Sequence, residues 1–567
     1  MVCDLTSYPL RVKGLCDSTV KIFFPLLPSQ IWIQNKQMAR SLDFKKIMGI
    51  LQEESEEFSS DRRAFLKKMV YSPLSVPMAS LALAGCSSFD SWVIGDNKHL
   101  DQEVMVLGGG LAGLSAAYHL KKNKIPYKVY EASSRVGGRI QTLFHANEDE
   151  QFAELGAEFF EASHELVIQL CKELNLSTQD ISYDPKLNRS LYCLNGKVVN
   201  EKDFRKNLKP LALKLAQLRR ESFASFTSEI NPRALAINPS MVALDQMSLF
   251  DFVNPLHGTM DEATLQSFEN LCISEWGADL KNINLLHFLV KLDVEERSSA
   301  ASPQKIFRVQ GGMARIVQTL GERVQGIVPN LTLKLEHQLI AIREKSGGYE
   351  CTFKTTKGSD TVWARQMICT LPFSLLKEVD GIQSLDLGRR KDFIANSNYG
   401  THAKVICSFK DSFWKKKQNA TLASQGVFRG QLAGQSYWDS SRGQAGTHGL
   451  LTSQRGGSVG QSTGASAAQQ IREDLQCFYK EPLAEENFHL SNWSQKPFAK
   501  GSRLNLLPGT YLKYLEILLE EKELEGFYIG GEHWSFAHSG TMNGAIETGV
   551  AAAEKALKKA FFNGVFK

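Results

Sequence analysis

No Cys-x-x-Cys pair occurs among the ten cysteines of this 567-residue chain, so neither a zinc ribbon nor a thioredoxin-type redox pair has its ligand spacing, and no metal is expected. Several cysteines sit in apolar runs, such as Cys272 between Leu271 and Ile273 and Cys369 after Met367 and Ile368, which reads as free thiols in a core. An excess of charge is lacking too. Lys and Arg number 66 against 61 Asp and Glu, a net of +5 spread along the chain, and the longest basic run is Lys415 to Lys417. That excludes the electrostatic footprint of a nucleic-acid binder. At 43% hydrophobic the composition is that of an ordinary globular protein, neither disordered nor collagen-like, with a slight excess of glycine.

A long membrane-spanning run is also missing near the amino terminus. From Ser60 the chain reads S-D-R-R-A-F-L-K-K, then an apolar stretch from Met69 to Ala84, then L-A-G-C ending at Cys86. The stretch is shorter than the ~20 residues of a spanning helix, and Pro73 and Pro77 interrupt it. This order of elements resembles a bacterial twin-arginine export signal closed by a lipoprotein box. The resemblance implies a signal over 48–86, lipidation at Cys86, a polar tether over 87–100, and a protein exported folded and held on the periplasmic or cell-surface side by lipid alone. Residues 1–47 precede the signal and read as a possible non-native extension, with translation beginning at Met48 or Met38.

Beyond the tether, Glu103 to Leu107 reads as a short buried strand running into G-G-G-L-A-G and then a helical pattern. Strand, Gly108, Gly110, Gly113 and helix in that order form the setting a dinucleotide fingerprint needs. The glycines permit a tight turn and let backbone N–H groups approach a pyrophosphate at the helix N-terminus. A second strand, Tyr127 to Tyr130, ends in Glu131, an acid placed to meet a ribose hydroxyl and to disfavour a 2′-phosphate.

The run E-A-S-S-R-V-G-G-R at Glu131 to Arg139 resembles the second fingerprint of the flavin-containing amine oxidase superfamily, with Ala132 and Gly138 beside the cofactor and Arg139 as a fixed cation near its phosphates. E-L-G-A-E-F-F at Glu154 to Phe160 resembles the segment that passes the flavin ring, bringing in Gly156, Ala157 and Glu158. G-G-M at Gly311 to Met313 opens a further helix, and Leu339 falls where a family strand meets the adenine end. F-Y-I-G-G-E-H at Phe527 to His533 and S-G-T-M-N-G-A-I-E-T-G at Ser539 to Gly549 complete the likeness. They imply Glu532 near the ribityl and phosphate region, and Gly540, Thr541 and Met542 at a helix N-terminus facing the flavin.

The resemblance implies chemistry carried mostly by FAD. Lys404, in Y-G-T-H-A-K, aligns with the family lysine that holds a water at flavin N5. Trp493 matches an aromatic packed on the ring, and Ser502 stands where monoamine oxidases attach flavin through cysteine, which implies a non-covalent cofactor. Arg503 and Thr541 replace the two tyrosines that flank a monoamine substrate, and Phe159 replaces the arginine that clamps an amino-acid carboxylate in L-amino-acid oxidases. Together Phe159, Arg503 and Thr541 outline a substrate pocket for a small amine without a carboxylate. Glu158, His533 and His538 are alternative contacts for a second amino group.

The expected architecture is α/β: a Rossmann-like FAD-binding domain from 101–160, 301–375 and 525–562, interleaved with a mixed α+β substrate domain from 161–300 and 376–524. The expected activity is oxidation of an amine to an imine, with reoxidation by O2 to H2O2. Alternatives are an L-amino-acid oxidase with a different clamp, a flavin dehydrogenase or desaturase using another acceptor, and a surface lipoprotein that binds flavin without turnover. The oligomeric state stays open.

Overall fold

The computed structural model describes residues 103–562, apart from short stretches at 183, 185, 224–234, 236–237, 297–304, 327–330, 417–422, 480–484 and 520–523. The twin-arginine sequence, the lipoprotein box, Cys86 and the tether lie outside the described residues.

The nucleotide end is built on a five-stranded sheet whose neighbouring strands all run parallel. Its order is Leu333–Lys334, Tyr127–Tyr130, Val104–Leu107, Gln366–Cys369 and Phe527–Ile529, so strands distant in sequence lie side by side. The central strand is V-M-V-L, buried along its whole length. Successive side chains of a strand point to opposite faces, so both faces of this one must be covered. Val104 and Val106 pack with Leu114, Ala117, Ile546 and Ala553 of the helices Leu111–Lys122 and Met542–Phe562. Met105 and Leu107 pack with Ile342 and Phe353 of an antiparallel three-stranded sheet over Gln338–Ala364. The α/β class read from the sequence is the one found.

The second large element is a mixed seven-stranded sheet. Its second strand from one edge is Ala403–Phe409, paired antiparallel with Gly449–Arg455 on one side and with the edge strand Asn487–Asn492 on the other. Alternation again sets the chemistry. Val405, Cys407 and Phe409 join one apolar cluster, while Ile406 joins Ala146, Ala153 and Leu450. Lys404 shares the face of Ile406 and therefore looks toward the chain around residues 153–158. Helices, among them Glu201–Phe223 and Glu262–Trp276, build a separate apolar cluster with Phe204, Phe268 and Phe288 at its centre.

Cys272 and Cys369 are the buried free thiols expected, but one pair of cysteines departs from that reading. Cys171, Cys272, Cys351, Cys369 and Cys407 are free and buried, but Cys193 and Cys477, 284 positions apart in sequence, form a disulfide with Cα atoms 6.2 Å apart. Nothing in the local spacing announces such a pair, because only the tertiary fold brings the two Cβ atoms together. Closing so long a loop restricts the unfolded chain strongly. The double replacement C193S/C477S is expected to cost ~3–5 kcal/mol. Denaturant unfolding of the two proteins measures it, and coincident midpoints would show that the bond carries no such constraint.

Candidate active site

The strand Val104–Leu107 ends at Gly108, whose φ of +102° suits glycine alone. The helix Leu111–Lys122 then starts with Gly110 as its N-cap residue, and among the described residues no side chain caps it. A Cβ built on Gly110 would have no described atom within 4 Å, so the helix N-terminus opens onto free space. Uncapped amides, the positive end of the helix dipole and room for an oxyanion are what a pyrophosphate requires, so these residues fit a dinucleotide. Gly113 belongs to the same device from inside. Its Cβ would stand 1.9 Å from the Gly108 carbonyl oxygen, so only glycine lets the helix press against the turn.

Glu131 is buried at the end of the next strand. Its Oε2 accepts from the Gly109 N–H at 2.7 Å, and its Oε1 accepts from the Ser133 N–H at 2.9 Å and the Ser133 hydroxyl at 2.8 Å. The acid therefore ties two turns together, and a ribose would share it. Gly137 donates to the Gly109 carbonyl at 2.8 Å, bringing Gly138 against Gly110, while Ala132 is half-buried in the same turn. Leu339 lies in the apolar cluster beneath Tyr130.

Arg139 does not stand alone toward the phosphates. Its Nη1 donates to Glu532 Oε1 at 2.6 Å and to the Ser502 carbonyl at 2.7 Å. Burial alone would raise the Glu532 pKa, but the Arg139 guanidinium and the Gly540 N–H, 2.8 Å from Oε2, hold it below the ordinary carboxylate value. Glu532 thereby anchors the turn of Gly540 and Thr541 that leads into the helix at Met542. The neighbouring His533 is fully buried, edge-on to Phe373. Neither ring nitrogen has a hydrogen-bond partner among the described residues, and burial pushes its pKa down to about 4.

Lys404 is 6% exposed. Its ammonium donates to the Glu154 carbonyl at 3.1 Å, the Gly156 carbonyl at 2.9 Å and Glu158 Oε2 at 2.7 Å. Glu158 Oε1 accepts from Trp438 Nε1 at 3.0 Å and from the Ser440 hydroxyl at 2.9 Å. Phe159 meets Trp438 edge to face at 6.3 Å, and Trp493 donates its indole N–H to the Leu155 carbonyl at 2.7 Å. Gly156 admits this crowding, since a Cβ there would lie 2.0 Å from the Arg139 carbonyl oxygen and 2.9 Å from the Trp493 ring. Ala157 donates to the same Arg139 carbonyl. Thus Gly156, Ala157, Glu158, Phe159, Lys404 and Trp493 converge as the sequence suggested. The lysine's three N–H bonds, however, are all spent on protein acceptors, and a water could be held only by releasing one of them.

Glu154, in the same segment, accepts from the Met313 N–H at 2.7 Å and the Thr142 hydroxyl at 2.8 Å, and burial pushes its pKa up to about 8. The segment is thus fixed to the start of the helix Ala314–Gln325.

Arg503 and Thr541 are brought together across Gly540, whose Cβ would approach Arg503 Cδ to 3.1 Å. Arg503 Nη2 reaches the buried Glu275 at 3.4 Å. The Thr541 hydroxyl donates to the His538 carbonyl at 2.7 Å and accepts from the Gly544 N–H, so it serves the helix start. Ser502 is paired with His402, whose Nδ1 lies 2.6 Å from the hydroxyl while Nε2 lies 2.9 Å from the Ser274 carbonyl. A carbonyl can only accept, which assigns the proton to Nε2 and makes Nδ1 the acceptor.

Burial, followed by the Arg503 charge, pushes the His402 pKa down to about 3. The folded protein therefore binds fewer protons than the unfolded chain below about pH 6.5, and this contribution to stability is lost as pH falls through that window. His402→Gln is expected to flatten the fall by ~1.4 kcal/mol per pH unit between about pH 6 and pH 4. Chemical denaturation across that range measures the slope, and an unchanged slope would mean His402 does not titrate on unfolding.

Sequence reasoning missed Glu275, Trp438, Ser440 and the Ser502 contact of His402. Only His402 lay inside a motif, and Glu275 in C-I-S-E-W carried no local signal.

The family model for flavin containing amine oxidoreductases matches residues 111–557. Human flavin-containing amine oxidase B is 23% identical over 478 residues, covering 80% of this chain and 86% of the human protein. A probable flavin-containing monoamine oxidase A of Dictyostelium discoideum is 22% identical over 484 residues, covering 81% of this chain and 98% of its own. Among solved structures, cyclohexylamine oxidase from Brevibacterium oxydans IH-35A superimposes with a TM-score of 0.67 at 19% identity, over 81% of this chain and all of that one. Wild-type putrescine oxidase bound to putrescine does so with a TM-score of 0.63 at 18% identity, over 81% and 99%. With the nucleotide turn, the buried lysine and the Glu532 anchor in place, the chain belongs to the flavin-containing amine oxidoreductase family, enzymes that oxidise amines with a bound flavin.

Proposed function

We propose that this protein is an FAD-dependent oxidase of a small amine that carries no carboxylate. The observation that carries the reading is the charge balance of the pocket wall. Arg503, the cation nearest the Gly540–Thr541 turn, is already compensated by Glu275, and Phe159 offers no clamp. A carboxylate entering there would have to compete with Glu275 for that one guanidinium. Bound FAD would supply the two-electron oxidation of the C–N bond to the imine, with O2 accepting the electrons as H2O2. The uncapped helix at Gly110 with Glu131 would hold the pyrophosphate and ribose, Glu532 and the Gly540 turn would support the flavin end, and Trp493 with Phe159 would wall the ring and substrate. The Ser502 hydroxyl, engaged with His402, supports a non-covalent flavin.

Peroxide release and flavin bleaching by the purified protein across monoamines, polyamines and amino acids test the reading. Turnover of monoamines is expected, and turnover confined to amino acids would overturn it. The Cys193–Cys477 disulfide further supports export to an oxidising compartment, with Cys86 as the lipid anchor. Among the described residues no helix is long and apolar enough to cross a membrane. Fractionation with globomycin-type inhibition of lipoprotein processing checks the anchor.

A further inference from the structure

The Lys404 side chain is held in a way that its place in the family does not require. A buried ammonium needs its charge balanced and its three N–H bonds satisfied. Two are met by backbone carbonyls of residues 154 and 156, and the third by the Glu158 carboxylate, at side-chain exposures of 7% and 4% for the pair. The other Glu158 oxygen is fixed by Trp438, on the strand Ser436–Asp439 of the same sheet, and by Ser440 just after it, and the Ser440 hydroxyl lies 2.7 Å from Thr452. The Trp438 ring also stands 5.1 Å from the Lys404 nitrogen, a cation–π contact. Every group that could turn the carboxylate away is engaged in holding it.

We propose that Glu158 is a positioning residue that closes Lys404 into a neutral ion pair, so that the segment 154–158 presents the cofactor side with a fixed dipole and not with a free ammonium. The proposal rests on the reading of this site as a flavin site. It differs from the water-holding role that resemblance suggests for Lys404, and it assigns to Glu158 a partner other than substrate or cofactor.

Other charges around the pair are accounted for. Glu154 directs its carboxyl to Met313 N–H and Thr142, away from the ammonium. Arg308, on the strand Ile306–Val309, donates to the carbonyls of Ser440 and Arg442. Asp439 bonds Ser441 and Trp414, with Lys415 against its other side. His402, just before the strand that carries Lys404, has its pKa held low by burial. Glu158 is thus the carboxylate in direct contact with the lysine.

The test compares Glu158→Gln, Glu158→Asp, Lys404→Met and the double variant E158Q/K404M as flavin-loaded proteins. Without its counter-ion a desolvated lysine favours the neutral amine, so E158Q should acquire a one-proton transition in the bound-flavin absorption between about pH 6 and pH 10. Wild type and E158D, which keep the charge, should lack it, and E158Q/K404M should lose it. A purely structural role would not create a pH transition. Unfolding by denaturant gives an independent arm. If the two groups form a pair, the unfolding constant of E158Q should exceed that of E158Q/K404M at least tenfold, because only the single variant leaves a buried charge unpaired.

A pH-invariant spectrum in E158Q, or single-variant losses that simply add in the double, would overturn the pairing. Should E158Q be too unstable to purify while the double variant folds, the pair is supported. If both fail alike, it is refuted. Absence of bound flavin in the wild type would sink the functional reading, yet the unfolding cycle on the flavin-free protein would still decide the role of Glu158.

Discussion

Replacing Lys404 by Met is expected to lower turnover by ~10²-fold or more while flavin remains bound, and to cost ~3–5 kcal/mol of stability. The two effects have different origins. The nucleotide turn around Gly108 to Gly113 and the Glu532–Arg139 pair that would hold the cofactor make no hydrogen bond to the Lys404 side chain, so flavin stoichiometry should survive. Stability should not, because methionine fills the volume but leaves Glu158 with its Trp438 and Ser440 donors and no cation in contact, the buried Arg308 acting on it only without a hydrogen bond. A carboxylate in that state must take up a proton or remain an unpaired buried charge. Methionine also strands the two carbonyls that the ammonium satisfied. Flavin absorbance after gel filtration, steady-state turnover and denaturant midpoints separate these outcomes. Unchanged turnover would remove Lys404 from the reacting centre, and an unchanged midpoint would mean the Glu158 pair contributes nothing to the fold.

The contrast between Lys404 and its partners shows where the sequence is readable. The strand Val104–Leu107, the helix behind it and Glu131 are local patterns: an apolar run, glycines at fixed offsets and an acid at the end of the next strand. All lie where expected. Period-two alternation also places Lys404 on one face of its strand. What that face meets is another matter, because Glu158 is 246 positions from Lys404 and 280 from Trp438 in sequence, and their meeting depends on how the segment between the strands at 153–154 and 160–161 packs on the seven-stranded sheet. The same reason hides Arg503 with Glu275, 228 apart, and the Cys193–Cys477 bond. Motifs record backbone requirements that cannot be met in any other way. Side-chain pairing is degenerate by comparison, since many acids could have balanced Lys404, and only the packed fold selects one.

Two glycines of the nucleotide turn should therefore respond in opposite ways to the same added methyl group. In an exposed helix, Gly→Ala gains about 1 kcal/mol. At Gly113 the Cβ would lie 1.9 Å from the Gly108 oxygen and 3.0 Å from Thr370 Oγ1. The Gly108 carbonyl cannot retreat easily, since Gly108 donates to the Tyr130 carbonyl at 2.8 Å and Thr370 to that of Leu107 at 2.9 Å. Overpacking of this kind costs ~1–3 kcal/mol and outweighs the helix gain, so G113A should lose both stability and flavin. Gly110 is the opposite case. Its φ of −75° suits alanine, and no described atom lies within 4 Å of the new Cβ, so G110A should keep the flavin-free unfolding free energy within ~0.5 kcal/mol of wild type. The methyl group would occupy the space in front of the helix N-terminus, and flavin affinity should fall by ~10²-fold. Flavin content and denaturant midpoints of both variants decide the matter: a G110A protein that binds flavin as wild type does would place the pyrophosphate elsewhere.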